Sequence, residues 1–213
     1  MKNFIIIFLL ITQLNTILDA GLEEELFQEY QPSLNKCRPN VRSSETEGYE
    51  RGETILKPLY NSNGSIVCML AGYKNVYFGN LDELDSISAS IKELLKLKNY
   101  KYITNNESSL EPVERPFILF TPDGRKNALL LLKSLELRIN NYLQGHLLGY
   151  SDKDISALYK WQSQEIEKYK SSPIEADLRF ENDRKEALKW IEENSSDIEE
   201  WANTNKIIIN DLI

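Results

Sequence analysis

His146 is the only histidine in the 213-residue sequence, and so the one side chain whose ordinary pKa lies near neutrality. A hydrolytic general base needs such a group, with an acid to orient it. Two acids, Asp152 and Asp154, follow closely across a Gly149-Tyr150 turn. These three residues form the candidate catalytic set. No G-x-S-x-G sequence supplies a nucleophile to match. The chemistry left is hydrolysis by acid/base carboxylates, with or without His146. Two carboxylates about 5–10 Å apart can cleave glycosides, but the chain carries 33 acids, too many for sequence to select a pair. A structural role competes with this reading. An imidazole in the last turn of a helix gains from the negative dipole end and can bond a terminal carbonyl.

The element that must position His146 is the stretch from Thr121 to Gly149. Thr121-Pro122-Asp123 is a helix start: Thr caps, Pro fits the first turn, and Asp complements the dipole. Gly149 suits the residue after the last turn. At about 100° per residue, Ala128, Leu132, Leu135, Ile139, Tyr142 and His146 fall on one line. Leu130 and Leu137 lie on the opposite side. The pattern predicts one central helix over 122–148, covered on both flanks.

The elements around it follow in order. Residues 21–53 read as an acidic N-terminal arm and a polar loop rich in turn formers. Thr54–Tyr60 and Ser65–Tyr73 are apolar runs around an Asn63-Gly64 turn, which predicts a β-hairpin. Asn80 and Glu83 form a capping box opening a helix to about Lys98. Tyr100–Thr104 and Pro116–Phe120 read as strands. Tyr73, Tyr77, Tyr100 and Tyr102 read as strand residues packing on one another. Ser151 and Asp154 open a helix to about Lys170, with Ser171-Ser172-Pro173 as its stop. Further helices are expected over Asn182–Glu193 and from Ser196, and Ile207–Ile209 could close as an edge strand. The expected fold is α+β: a small, mainly antiparallel sheet within residues 54–120, packed on a helical layer over 121–213, in one domain.

At the N-terminus, Met1-Lys2-Asn3 precedes the apolar run Phe4–Ile11 and a polar stretch ending at Ala20-Gly21. That order is the pattern of a secretory signal peptide over residues 1–20, with cleavage between Ala20 and Gly21. The run is shorter than the ~20 residues that span a bilayer, and no later segment is apolar enough to do so. The expected product is therefore a soluble secreted or periplasmic protein. In that compartment Cys37 and Cys68 are expected to form one disulfide. Two cysteines and one histidine are too few for a Cys/His zinc site; neither metal nor cofactor is expected. Asn63, Asn106 and Asn194 each begin an Asn-x-Ser glycosylation pattern.

The net charge is −8, and removing residues 1–20 takes one basic and one acidic residue, leaving it unchanged. An acidic chain lacks the Lys/Arg excess that neutralises phosphates, which argues against nucleic acid. Leu147–Ile155 (LLGYSDKDI) superficially resembles the opening of many helix-turn-helix domains, but a Gly stop followed by a Ser cap accounts for it without DNA. The expectation that remains is a non-catalytic protein that binds an unknown protein or small molecule. A secreted hydrolase and an envelope-associated structural protein are the alternatives.

Overall fold

Strand pairing begins with the apolar run Pro116–Phe120, which lies second in a sheet of four strands among the described residues. The computed structural model describes residues 21–22, 24–25, 28, 66–67, 69–72, 74–104, 116–137 and 139–212. Its strands are β1 (Val76–Asn80), β2 (Lys101–Thr104), β3 (Pro116–Phe120) and β4 (Ile209–Asp211), in the order β1-β3-β2-β4. Every pairing is antiparallel, with Val76 and Lys101 both in register with Phe120, and Lys101 with Asp211. The fold is α+β. Because side chains alternate along a strand, β3 feeds two cores. Ile118 and Phe120 point into one, and Phe117 and Leu119 into the other. Tyr77 and Tyr102 pack their rings on Phe117, with centroids 6.2 and 5.6 Å away.

Among the described residues after β1, the α-helices are α1 (Leu81–Ser86), α2 (Ala89–Leu97), α3 (Arg125–Leu137), α4 (Asn141–Leu147), α5 (Asp152–Glu165), α6 (Pro173–Ser195) and α7 (Ile198–Thr204). Ile91, Leu94 and Leu95 of α2 cover one face of the sheet, together with Ile66, Val67, Met69 and Leu70. Helices α3 to α7 cover the other. The sheet thus has helices on both faces, where the sequence had placed one helical layer.

Four expectations are corrected. The second strand of the expected hairpin is helical at residues 66–67 and 69–70, with Ala71 N–H donating to Val67 O and Gly72 N–H to Met69 O. The rest of that hairpin lies outside the described residues. The helix after Asn80 has its capping box but is two helices, because Ser88 caps α2 by accepting from Ile91 N–H. Ser172-Pro173 starts a helix rather than ending one. Ser172 and Glu175 form a complete capping box with Pro in the first turn, so α6 runs 23 residues instead of beginning near Asn182.

The fourth correction concerns the central helix. Thr121 does accept from Gly124 N–H above a short 3-10 turn, Pro122–Gly124, and residues 128–132 of α3 are all buried. The helix nevertheless stops at Leu137 and restarts at Asn141. Asn140 takes an extended backbone, and its side chain caps α4 by accepting from Leu143 N–H at 3.0 Å. Its Nδ2 also donates to Asp183 O on α6. An Asn that can bond its own backbone favours a cap over a helix interior. Leu130 is buried at 1 % exposure, as the doubly covered helix requires, whereas Leu137, beside the break, is 58 % exposed.

Candidate functional site

The break after α3 delivers α4, a seven-residue helix carrying Tyr142 and His146 one turn apart. Gly149 ends it with φ of +87°, a left-handed conformation open to glycine, and Gly149 N–H donates to His146 O. The chain then reverses into α5 through Ser151. Ser151 Oγ accepts from Asp154 N–H and donates to Asp154 Oδ2 at 2.7 Å. Asp154 is therefore buried and bonded to the capping Ser151 in the first turn of its own helix. At Gly145, an added Cβ would sit 3.0 Å from Ile155 Cγ1, so the missing side chain lets α4 and α5 approach.

Asp152 heads α5 where the helix dipole favours a negative charge. Tyr142 Oη donates to its Oδ1 at 2.6 Å, and Arg184 Nε of α6 donates to its Oδ2 at 2.8 Å. His146 stacks on Tyr142, with centroids 5.7 Å apart and planes 17° from parallel. The Tyr142 hydroxyl holds the Asp152 carboxyl below its ordinary range, and Arg184 and His146 add to the effect against the opposing cost of burial. Burial pushes the Tyr142 phenol up to about 12, helped by the hydrogen bond to the Asp152 carboxylate.

A second polar chain runs behind the first. Tyr142 N–H donates to Tyr159 Oη at 3.2 Å, and Tyr159 Oη donates to Asp183 of α6. Burial, then the Asp183 carboxylate, raises the Tyr159 phenol. Arg179 lies over the rings of Tyr159 and Tyr169 and donates to both residues' carbonyls. Phe180 packs edge-on against both Tyr142 and Tyr159. Three helices are thus tied at one seam by two tyrosine–carboxylate bonds and two arginines.

The sequence had grouped His146, Asp152 and Asp154. The structure brings His146 and Asp152 to the same seam through Tyr142, and ties Asp154 to Ser151, the cap of α5. What sequence reasoning missed is the partners: Tyr142, Tyr159, Asp183 and Arg184. Tyr142 carried a signal, four residues before His146 on the same helical line. Arg184 and Asp183 carried none, since only packing of α6 on α4 and α5 brings them near.

Chemically, both oxygens of Asp152 are occupied, and its carboxyl titrates below the range of a base matched to neutral pH. Tyr142 keeps its proton until strongly alkaline conditions. Among the described residues, no group of three or more His, Cys, Asp or Glu could hold a metal ion, and no helix is long and apolar enough to cross a membrane. Asn194 lies in the last turns of α6, where its Nδ2 donates to Trp190 O at 2.8 Å. Gly21 is helical and exposed. Ala20, Cys37, Asn63, Cys68 and Asn106 lie outside the described residues. No family model, curated protein or solved structure matches the chain.

Proposed function

We propose that the chain is exported by its N-terminal segment and acts, in the secreted or periplasmic space, as a non-catalytic protein that binds a protein or small-molecule partner. The outer face of α6 carries this reading. Ile174, Leu178 and Leu188 are 73 %, 59 % and 37 % exposed, and they fall within an arc of about 80° on the helix. The opposite side of α6 sends Ala176, Phe180 and Ala187 inward. Apolar side chains gathered on one solvent face favour contact with another surface. The pairing of Asp152 with Tyr142 and Arg184 also supports the reading, since it gives both carboxylate oxygens a structural task.

A hydrolase is the second reading, favoured by the stack of His146 on the tyrosine that bonds Asp152. The two readings separate in an assay of the exported, processed protein against ester, peptide and glycoside substrates, beside His146→Ala and Asp152→Asn. The binding reading expects both variants to melt lower and to have no turnover to lose. Turnover that disappears in His146→Ala at an unchanged melting temperature would replace it with the hydrolase.

A further inference from the structure

The solvent face of α6 has a pattern beyond its three apolar residues. Ile174, Leu178, Glu181, Lys185, Leu188 and Glu192 follow one another in alternating steps of four and three residues. That spacing keeps a straight seam along a helix and is the spacing of helix–helix pairing. All six residues are exposed. The helix has 23 residues, so the seam runs along a rod about 34 Å long at 1.5 Å per residue.

The seam is complementary to itself when reversed. If a second copy of α6 lies antiparallel and crosses at the level of Asp183, Leu178 meets Leu188 of the second copy. Glu181 then meets Lys185 of the second copy, and Ile174 lies along the aliphatic stem of its Glu192. Two-fold symmetry repeats each contact, giving two leucine pairs and two opposite-charge pairs. Neither Glu181 nor Lys185 forms an ion pair within the described residues, so both charges are available. In a parallel, in-register pair the same charges would face their own kind, with Glu181 against Glu181 and Lys185 against Lys185.

We infer that the partner of this face is a second copy of the chain, docked through antiparallel α6 helices. The inference rests on the binding reading above and names the partner. Three apolar residues a side make a small seam, at the low end of specific interfaces, so the dimer is reversible with a Kd on the order of 10 μM.

Sedimentation equilibrium of the exported protein, from sub-micromolar to near-millimolar concentration, tests this. The expected result is a monomer–dimer equilibrium that weakens as salt rises. Glu181→Lys alone and Lys185→Glu alone each turn two attractions into two repulsions and raise Kd about tenfold. The double variant Glu181→Lys/Lys185→Glu restores the dimer, because the charges still face opposite partners. The sites are exposed, and unchanged melting temperatures establish that each variant folds. A monomer at every concentration overturns the dimer. So does a dimer indifferent to the single reversals, or a folded double variant that stays monomeric. These outcomes leave the non-catalytic reading standing, whereas turnover lost in His146→Ala removes that reading without touching the dimer.

Discussion

Tyr142→Phe isolates the polar seam with the least disturbance. It removes one oxygen and keeps a ring that is 1 % exposed and packed on Phe180 and His146. At neutral pH the loss is the bond from Oη to Asp152. A hydrogen bond to a charged group contributes about 1.5–3 kcal/mol when shielded. The Asp152 side chain is 48 % exposed, so water replaces part of it, and the expected loss is about 1 kcal/mol. For a chain of this size that lowers the melting temperature by about 2–4 °C. The alkaline limb gives the sharper test. The Tyr142 phenol is raised from 10.0 in the unfolded chain to about 12 in the fold. A group with a raised folded pKa contributes its full stability below the unfolded value and loses it as pH climbs through the folded one. The wild-type advantage over Tyr142→Phe therefore holds up to pH 10 and declines between there and about 12. Two units correspond to about 2.7 kcal/mol in full, and solvent at the Asp152 end reduces this to about 1–2 kcal/mol. On the acid side, the depressed Asp152 carboxyl contributes above its ordinary value of 3.8, and its stabilisation is lost as pH falls below that. Urea unfolding followed by tryptophan fluorescence, in both proteins across this range, reads the difference directly. A difference that stays constant from neutrality to pH 12 would refute the account of Tyr142 as a buried phenol held by a carboxylate.

Two further outcomes are expected. Gly124→Ala would place its Cβ 2.2 Å from the Asn75 carbonyl oxygen, which also accepts from Thr121 N–H at 3.0 Å; forcing that backbone apart costs about 2–4 kcal/mol, and an unchanged calorimetric melting temperature would contradict the packing described. Reduction is expected to lower the melting temperature by the equivalent of roughly 3–4 kcal/mol if Cys37 and Cys68 close a loop of about 30 residues, and titration of two thiols in the unreduced protein would rule the bridge out.

What the sequence carried by itself was local. Thr121-Pro122, Asn80 with Glu83, Ser151 with Asp154 and Gly149 each mark a helix end through bonds made within a few residues, and each does so in the structure. The α+β class followed from apolar runs set before a helical half; of those runs Tyr100–Thr104 and Pro116–Phe120 correspond to strands β2 and β3, whereas the run Ser65–Tyr73 does not correspond to a strand. Local chemistry was also present but misread at Asn140 and at Ser172-Pro173. The leucine line from Ala128 to His146 matched a helical period so well that a capping Asn inside it was overlooked. A Ser-Pro pair is compatible with a stop as well as a start, and Glu175 was the residue that decided between them. Helix at residues 66–67 and 69–70 was beyond reach, because a short apolar run fits a buried strand and a buried helix equally. The seam at Asp152 belongs wholly to the tertiary structure. Arg184 lies 32 residues along the chain from Asp152 and Asp183 lies 24 from Tyr159, and no periodicity relates such positions. Only the packing of α6 across α4 and α5, driven by burial of Phe180 and Ala187, sets those charges against the acid and the phenols.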